Sequence, residues 1–448
     1  MKRFPRAFAA SVAFVCGIAL AVAAGAPLAR ATEIEAVTSP GGIRAWLVRE
    51  PSIPMISVQL SWRGGAKLDP EGKEGLADMV SSLLDEGAGE LDSQAFQTRL
   101  EELAISLSFG AGRDDFSGRL RTLSKNRDEA FRLLGLALTR PRFDPEPVER
   151  IRSQIVSGLL RDDEDANSVA SRTFFRKAFA DHPYGRPTDG TVEGVKAVTI
   201  DDLKDFVARR LARDNLVIGV VGDIDGDELG LLLDRALGGL PERAEPFEVA
   251  EAKLPAKGSV TVIDKDIPQS VVVFGEAGIK RDDPDWYAAY VMNYILGGGG
   301  FSSRLQDEVR EKRGLAYSVY SYLYPLDNGA LHLGGVATKN ERTAESLAVV
   351  RREFRRLRDE GVSEQELADA KTYLNGSFPL QLSSNASIAR LLVAMQRDDL
   401  GIDYLDRRAD LINAVTVDDV QRVARRLLRP DDLIVVIVGR PKGIQGDD

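Results

Sequence analysis

The chain of 448 residues is nearly devoid of thiols and imidazoles. It holds one cysteine, Cys16, and two histidines, His182 and His332, which stand 150 positions apart. That scarcity excludes a thiolate zinc cage, an iron–sulfur centre and a Cys–His dyad, and with them any motif built on two neighbouring imidazoles. A long basic run is also missing, and the formal charge at pH 7 is −10. Nucleic acid and anionic lipid are therefore poor candidates as partners. Arg-rich stretches such as Arg351-Arg352-Glu353-Phe354-Arg355-Arg356 are interleaved with other residues and read as solvated faces of amphipathic helices. What is present is ordinary for a folded protein: 44% hydrophobic and 29% charged residues, with 41 Gly and 20 Pro. The length suits two or three domains, each large enough to bury a core.

The first residues account for the lone cysteine. Lys2, Arg3 and Arg6 precede an apolar stretch from Phe8 to Ala24, and Ala29-Arg30-Ala31 supplies a small-x-small cleavage pattern. Residues 1–31 read as a signal peptide that takes Cys16 with it, which makes the mature chain exported and periplasmic, free of disulfides, and not stably inserted in a membrane. The rival reading is an uncleaved anchor, although heavy Ala and Gly content makes the stretch a weak span. Cleavage removes four positive charges (Lys2, Arg3, Arg6, Arg30) and no negative one, moving the formal charge from −10 to −14.

An internal duplication organises the rest. Residues 198–222 read VTIDDLKDFVARRLARDNLVIGVVG, and residues 415–439 read VTVDDVQRVARRLLRPDDLIVVIVG. Thr199 and Thr416 are 217 positions apart, as are Gly222 and Gly439. Each copy places a Thr N-cap and acids before an amphipathic helix, then an apolar β-branched strand closed by Gly. Looser agreement pairs the strand Ile56–Trp62 and helix Leu76–Leu84 with the strand Ser270–Phe274 and helix Trp286–Leu296. The expected class is α+β, with two homologous domains at 33–240 and 257–443. Pro241, Pro246 and Pro255 mark the linker between them.

The segment from Leu296 to Tyr317 carries the most chemistry. Gly297, Gly298, Gly299 and Gly300 end one helix. Ser303 and Gln306 have the spacing of a capping box, which predicts a new helix of about three turns. Gly314 stops that helix and Leu315–Leu323 reads as a strand, so Arg310 in the last turn and Tyr317 on the strand converge at one corner. Taken singly, the glycines read as a turn, the arginine as a helix-end charge and the tyrosine as strand packing.

Taken together, Gly297–Gly300, Ser303-Arg304-Leu305 and Arg310-Glu311-Lys312-Arg313-Gly314-Leu315-Ala316-Tyr317 resemble the C-terminal half of the insulinase or pitrilysin-type zinc metallopeptidase family. The run from His182 to Thr191 (HPYGRPTDGT) is similar to a loop of its N-terminal half. The resemblance implies two half-shells, each a mainly antiparallel sheet packed with helices. Active members carry H-x-x-E-H on their first long helix, with a further Glu downstream. Here Asp78 and Ser82 stand at the His positions, Ser81 at the base, and Gly158-Leu159 where the downstream ligand falls. One carboxylate and two hydroxyls on a helical face are a poor set for zinc.

The resemblance therefore implies a metal-deficient subunit without zinc or another cofactor of its own. It would pair as a heterodimer with a zinc-bearing homologue and act on peptides. Arg310 and Tyr317 would bind substrate and stabilise the tetrahedral intermediate, and Gly297–Gly300 would let a peptide backbone approach closely. The alternative is a non-catalytic peptide-binding or scaffold subunit.

Overall fold

The unit repeated in sequence is repeated in space. Thr199 accepts a hydrogen bond from the backbone N–H of Asp202 while the Asp202 carboxylate accepts one from the backbone of Thr199, and Thr416 and Asp419 form the same reciprocal pair. These capping boxes satisfy donors that a helix N-terminus leaves open. They start two eleven-residue helices, Ile200–Arg210 and Val417–Leu427. Each helix leads to an apolar strand that ends on a glycine of positive φ, Gly222 at 150° and Gly439 at 143°. A Cβ on Gly222 would lie 2.1 Å from the Met55 carbonyl oxygen, so no larger residue fits that close approach.

The computed structural model describes residues 33–447. The signal-peptide reading of residues 1–31, with Cys16, lies outside them. The first half runs β1 (Glu35–Thr38), β2 (Arg44–Arg49), β3 (Met55–Arg63), α1 (Leu76–Ser81), α2 (Ser93–Glu102), β4 (Ser106–Ala111), β5 (Asp115–Leu123), α3 (Arg127–Thr139), α4 (Pro145–Asp162), α5 (Ala166–Ala178), α6 (Val192–Ala197), α7 (Ile200–Arg210), β6 (Leu216–Gly222) and α8 (Gly226–Leu237). The second runs β7 (Val260–Ile263), β8 (Gln269–Ala277), α9 (Trp286–Asn293), β9 (Ala316–Leu326), β10 (Gly329–Lys339), α10 (Thr343–Glu360), α11 (Glu364–Gly376), α12 (Asn385–Arg397), α13 (Tyr404–Asn413), α14 (Val417–Leu427) and β11 (Ile434–Val438).

The two sheets share one topology over five strands, to which β1 adds a sixth at the edge of the first. Their orders are β1-β2-β6-β3-β5-β4 and β7-β11-β8-β10-β9. The pairs β2–β6 and β7–β11 are parallel, and the other pairs are antiparallel. This is the expected α+β architecture of two related halves. The helix expected through Leu84 is shorter than the sequence suggests, ending at Ser81. Leu83 and Leu84 are both buried, and the chain turns tightly after Ser81 in placing them.

The halves also exchange helices, which nothing in the sequence announces. Helix α5 belongs to the first half but packs on the second sheet, where Ala170, Phe174 and Phe179 meet Leu331, Ile434 and Val436. Helix α12 belongs to the second half but covers the first sheet, where Ala389 and Leu392 meet Val48 and Val221. Among the described residues, no helix is long and apolar enough to cross a membrane.

A buried polar latch closes the joint between the halves. Lys67, with 1% of its side chain exposed, places Nζ 2.8 Å from Asp114 Oδ1 and 2.8 Å from Asp327 Oδ2. The Tyr184 hydroxyl donates to Asp114 Oδ1 at 2.5 Å, and Asp114 Oδ2 accepts from the Asp327 backbone N–H at 3.0 Å. Asp327 and Asn328 form the tip of the β9–β10 hairpin, so one network grips both halves. Removing one partner from such a network strands a buried charge. Lys67→Met is expected to lower the unfolding free energy by about 3–5 kcal/mol, read from urea unfolding; a midpoint equal to that of the unmodified chain would show that the latch carries no stability.

Candidate functional site

The candidate site is assembled on the outer end of the second sheet. Helix α9 continues past Asn293 as a π-helical turn, Tyr294–Gly298. Its glycines are demanded first by the chain's own packing. A Cβ would stand 2.4 Å from Ser321 Oγ at Gly297, 2.7 Å from Asn293 Nδ2 at Gly298, and 2.8 Å from the Tyr294 carbonyl oxygen at Gly299. Gly300 differs, having φ +56° and nothing within 4 Å of an added Cβ. Open space for a ligand therefore lies at Gly300, whereas Gly297, Gly298 and Gly299 have an internal reason to lack side chains.

Beneath this loop lies a chain of buried polar groups. Asn293 Oδ1 accepts from Ser321 Oγ at 2.8 Å and lies 3.1 Å from His332 Nε2, while His332 Nδ1 lies 3.1 Å from Glu276 Oε1. The network ties α9 to strands β8, β9 and β10. It gives His332 a structural use, and the other imidazole is used as well. His182 Nδ1 accepts from the Tyr184 backbone N–H at 3.1 Å, which leaves Nε2 to donate to the Ala250 carbonyl at 2.8 Å.

The capping box expected at Ser303 and Gln306 does not form. Ser303 Oγ donates to the Gly300 carbonyl at 2.8 Å, and Gln306 Nε2 donates to the Val319 carbonyl at 2.9 Å. The long helix expected there is a π-helical turn, Gln306–Glu311. Gln306 is buried against β9, where its amide N–H is taken by the strand carbonyl rather than by a helix cap. Two charged anchors hold the turn. Arg304 grips Glu366 through Nε at 2.7 Å and Nη2 at 2.9 Å, a bidentate pair. Glu308 accepts from Lys312 and Arg313, both at 2.6 Å, and these bonds hold its carboxyl down at about 2.

This scaffold brings Arg310 and Tyr317 together. In the β9–β10 register Ser318 faces Ala337 and Ala316 faces Thr338, which leaves Tyr317 as the extra residue of a β-bulge. A bulge re-aims the side chain it carries, and Tyr317 is 82% exposed on a strand whose neighbouring Val319 is buried. The Arg310 guanidinium lies 4.8 Å from the centroid of the Tyr317 ring and 4.6 Å from that of Phe301. Two rings thus orient one cation. Arg310 pairs through Nε with its neighbour Glu311 at 3.4 Å, which leaves the terminal nitrogens of the fork out of that pairing. The arrangement can donate hydrogen bonds from a phenol and a fixed guanidinium to an oxygen-rich ligand. Phe301 belongs to this cluster too, and the only local signal for it is an aromatic residue directly after four glycines.

The positions that correspond to a metal site do not fit zinc. Ser81 Oγ donates to the Asp78 backbone carbonyl at 2.8 Å, which commits that hydroxyl to the helix. Burial pushes the Asp78 carboxyl up to about 6, with the Asp189 charge adding to the effect. On α4, Leu159 is buried where the downstream carboxylate would stand. Among the described residues, no group of three or more His, Cys, Asp or Glu side chains is arranged to hold a metal.

Comparison with known proteins accords with this geometry. A family model described as the peptidase M16 inactive domain matches residues 197–374. A non-peptidase homolog, YmxG of Helicobacter pylori, is 30% identical over 391 residues, covering 87% of this chain and 90% of that protein. The chain belongs to the peptidase M16 family. An uncharacterised zinc protease of Mycobacterium leprae is 28% identical over 89% of this M16 chain and 90% of its own length. The solved structure of a peptidase M16 inactive domain from Pseudomonas fluorescens superimposes with a TM-score of 0.86 at 29% identity, covering 92% of this chain and 99% of that one. This M16 chain is a metal-site-deficient member of the family.

The Asp78 environment has a measurable consequence. Its carboxyl titrates higher in the folded chain, about 6, than its ordinary value of 3.8. Folding therefore takes up a proton between those values, and stability is lost as the pH rises through that window. Asp78→Asn is expected to match the parent chain in urea unfolding at pH 4 and to exceed it by about 1–3 kcal/mol at pH 8. An equal difference at both pH values would show that the carboxyl is not the cause.

Proposed function

We propose that this M16 chain is the metal-free subunit of an exported two-chain peptidase. Its partner is a homologue that holds zinc in an intact H-x-x-E-H helix, and water activation belongs to that partner. The present chain contributes the grip on the substrate. Arg310 holds a carbonyl or carboxylate of an extended peptide, and the Tyr317 hydroxyl donates to the oxyanion that develops at the scissile carbon. The observation that carries this reading is the bulge that turns Tyr317 outward with Arg310 over its ring, in a chain whose metal positions hold Asp78, Ser81, Ser82 and Leu159. Packing alone needs neither the exposed phenol nor the oriented guanidinium. Gly300 fits the same reading, since it leaves room beside Phe301 for a peptide backbone to approach.

Export is part of the proposal and rests on the basic, apolar and Ala29-Arg30-Ala31 segments of the first 31 residues. A second reading is peptide capture without cleavage. It is favoured by the designation of the Helicobacter pylori relative as a non-peptidase homolog. One experiment separates the two: the chain, a zinc-bearing M16 homologue from the same genome, and their mixture are each assayed on an unstructured peptide. The mixture is expected to exceed the sum of the separate chains. Tyr317→Phe is expected to lower kcat of the mixture by about 10²–10³ while assembly, read by light scattering, is unchanged. Unchanged turnover with normal assembly would remove Tyr317 from the chemistry. Peptide binding without any gain in turnover would favour capture.

A further inference from the structure

Strand β9 carries more than Tyr317. Tyr320 and Tyr322 are 47% and 42% exposed on the same strand, and their rings stack at 6.1 Å. β9 is the last strand of its sheet, paired with β10 on one side and met on the other by the Gly297 loop and by Gln306, whose amide reaches the Val319 carbonyl. An exposed aromatic row with no charge on it is an aggregation hazard unless something uses it.

The register shows which surface these rings line. Tyr320 faces Gly335 and Tyr322 faces Leu333, and across β10 the row continues to Val273 on β8. Helix α5 covers this sheet face over β11 and β8 and reaches β9 only toward its far end, where the Phe175 ring meets Tyr324 at 5.9 Å. Its residues Asn167, Ser171 and Phe175 fall at four-residue spacing, on one side of the helix. A groove of about 200 Å³ remains between that helix face and the two tyrosines, and its end is lined by Ser318, the residue next to Tyr317. Gly335 deepens it: a Cβ there would stand 2.7 Å from the Tyr320 hydroxyl, so a side chain would displace the ring.

No charged side chain lines the groove. Burial pushes the Tyr322 phenol up to about 12, so the wall stays neutral at physiological pH. The corresponding face of the first sheet has the opposite character. There Ser57, Gln59 and Ser61 of β3 face Arg121, Arg119 and Ser117 of β5. Two halves of one duplicated fold thus present a polar strip in one place and an aromatic, uncharged one in the other.

We infer that the groove between α5 and Tyr320–Tyr322 is a specificity subsite that takes an apolar side chain of the extended peptide held at Arg310 and Tyr317. The inference rests on the peptide-binding reading above. Its occupant follows from continuity with that site, since the groove opens one residue beyond Tyr317, and from the absence of charge in its lining. At about 3.3 Å per residue, Tyr320 and Tyr322 stand roughly 10–17 Å along the strand from Tyr317. The side chain that enters therefore lies about three to five residues along the peptide from the group at Arg310.

The test uses the full chain and fluorescein-labelled twelve-residue peptides of Gly, Ser and Thr, each with a single Leu or Asp placed at successive positions. Fluorescence anisotropy is expected to show about tenfold tighter binding for Leu than for Asp within one narrow range of positions. Ser171→Trp, at an exposed position of α5, fills the groove from the helix side, and Tyr322→Ala removes its wall. Both are expected to abolish the Leu preference while leaving the affinity for Asp peptides within about twofold. Arg310→Ala is expected to weaken Leu and Asp peptides alike. A Leu preference that survives in both groove variants, each with a parental circular-dichroism spectrum and melting temperature, overturns the subsite and leaves the Arg310–Tyr317 reading standing. No Leu preference in the unmodified chain overturns the subsite as well. Absence of any peptide binding overturns both.

Discussion

The geometry of this chain depends on one buried ammonium. Lys67 sits at the junction of the two halves with almost no contact with water, and three hydrogen-bond acceptors surround it: Asp114, Asp327 and Asn328. A lysine donates three bonds and accepts none, so this set satisfies it. The tip of the β9–β10 hairpin can supply two of those acceptors only when the second sheet sits in one place relative to the first. Tyr184 reinforces the constraint, because its hydroxyl donates to Asp114 and accepts from the Asn328 backbone N–H at 3.0 Å. Buried ionic groups are weak sources of net stability, but their demand for complete partnering selects one arrangement over its neighbours. Here the strand that carries Tyr317 ends in the hairpin that the latch holds.

The duplicated scaffold makes the divergence of the halves informative. Both sheets place a parallel pair toward one side and an antiparallel edge strand at the other, and both accept a helix from the opposite half. The chemistry on them differs. In the first half, Ser81 is consumed by its own helix and the Asp78 carboxyl is driven toward protonation by burial and by Asp189. In the second, charge is organised outward: Arg304–Glu366 and the Glu308 cluster fix a π-helical turn, and Arg310 is oriented over an exposed phenol. A π-helical turn widens the backbone locally and is frequent at functional positions. The second half is thus the one that presents oriented charge and an exposed phenol at its surface.

Much of this was legible along the chain, for identifiable reasons. Thr199–Asp202 and Thr416–Asp419 are local signals, three residues apart, and they formed as their spacing suggested. Arg310 and Tyr317 lie seven residues apart across one helix–strand corner, so their convergence needed little help from distant segments. The Ser303–Gln306 pair has equally good local spacing and failed. Gln306 is buried against β9, and its amide N–H went to a strand carbonyl instead of the cap. A glycine run suggests room for a ligand, whereas three of these glycines are required by Ser321, Asn293 and Tyr294. That requirement comes from strand β9 and helix α9 packing together, which local spacing does not encode.

By itself, the sequence determined the α+β class, the twofold repetition, the loss of a zinc-binding set and the pairing of Arg310 with Tyr317. Each of these depends on residue identity or on neighbours within a few turns of chain. The tertiary structure alone decided the exchange of α5 and α12 between the sheets, the latch at Lys67, the bulge that exposes Tyr317 and the tyrosine-lined groove beside it. Those features join residues hundreds of positions apart, as in the contact of Lys67 with Asn328 across 261 positions. Such contacts form only where burial of apolar faces has already brought the segments together, and no local pattern in the chain records which distant group will then complete a hydrogen bond or a ring contact.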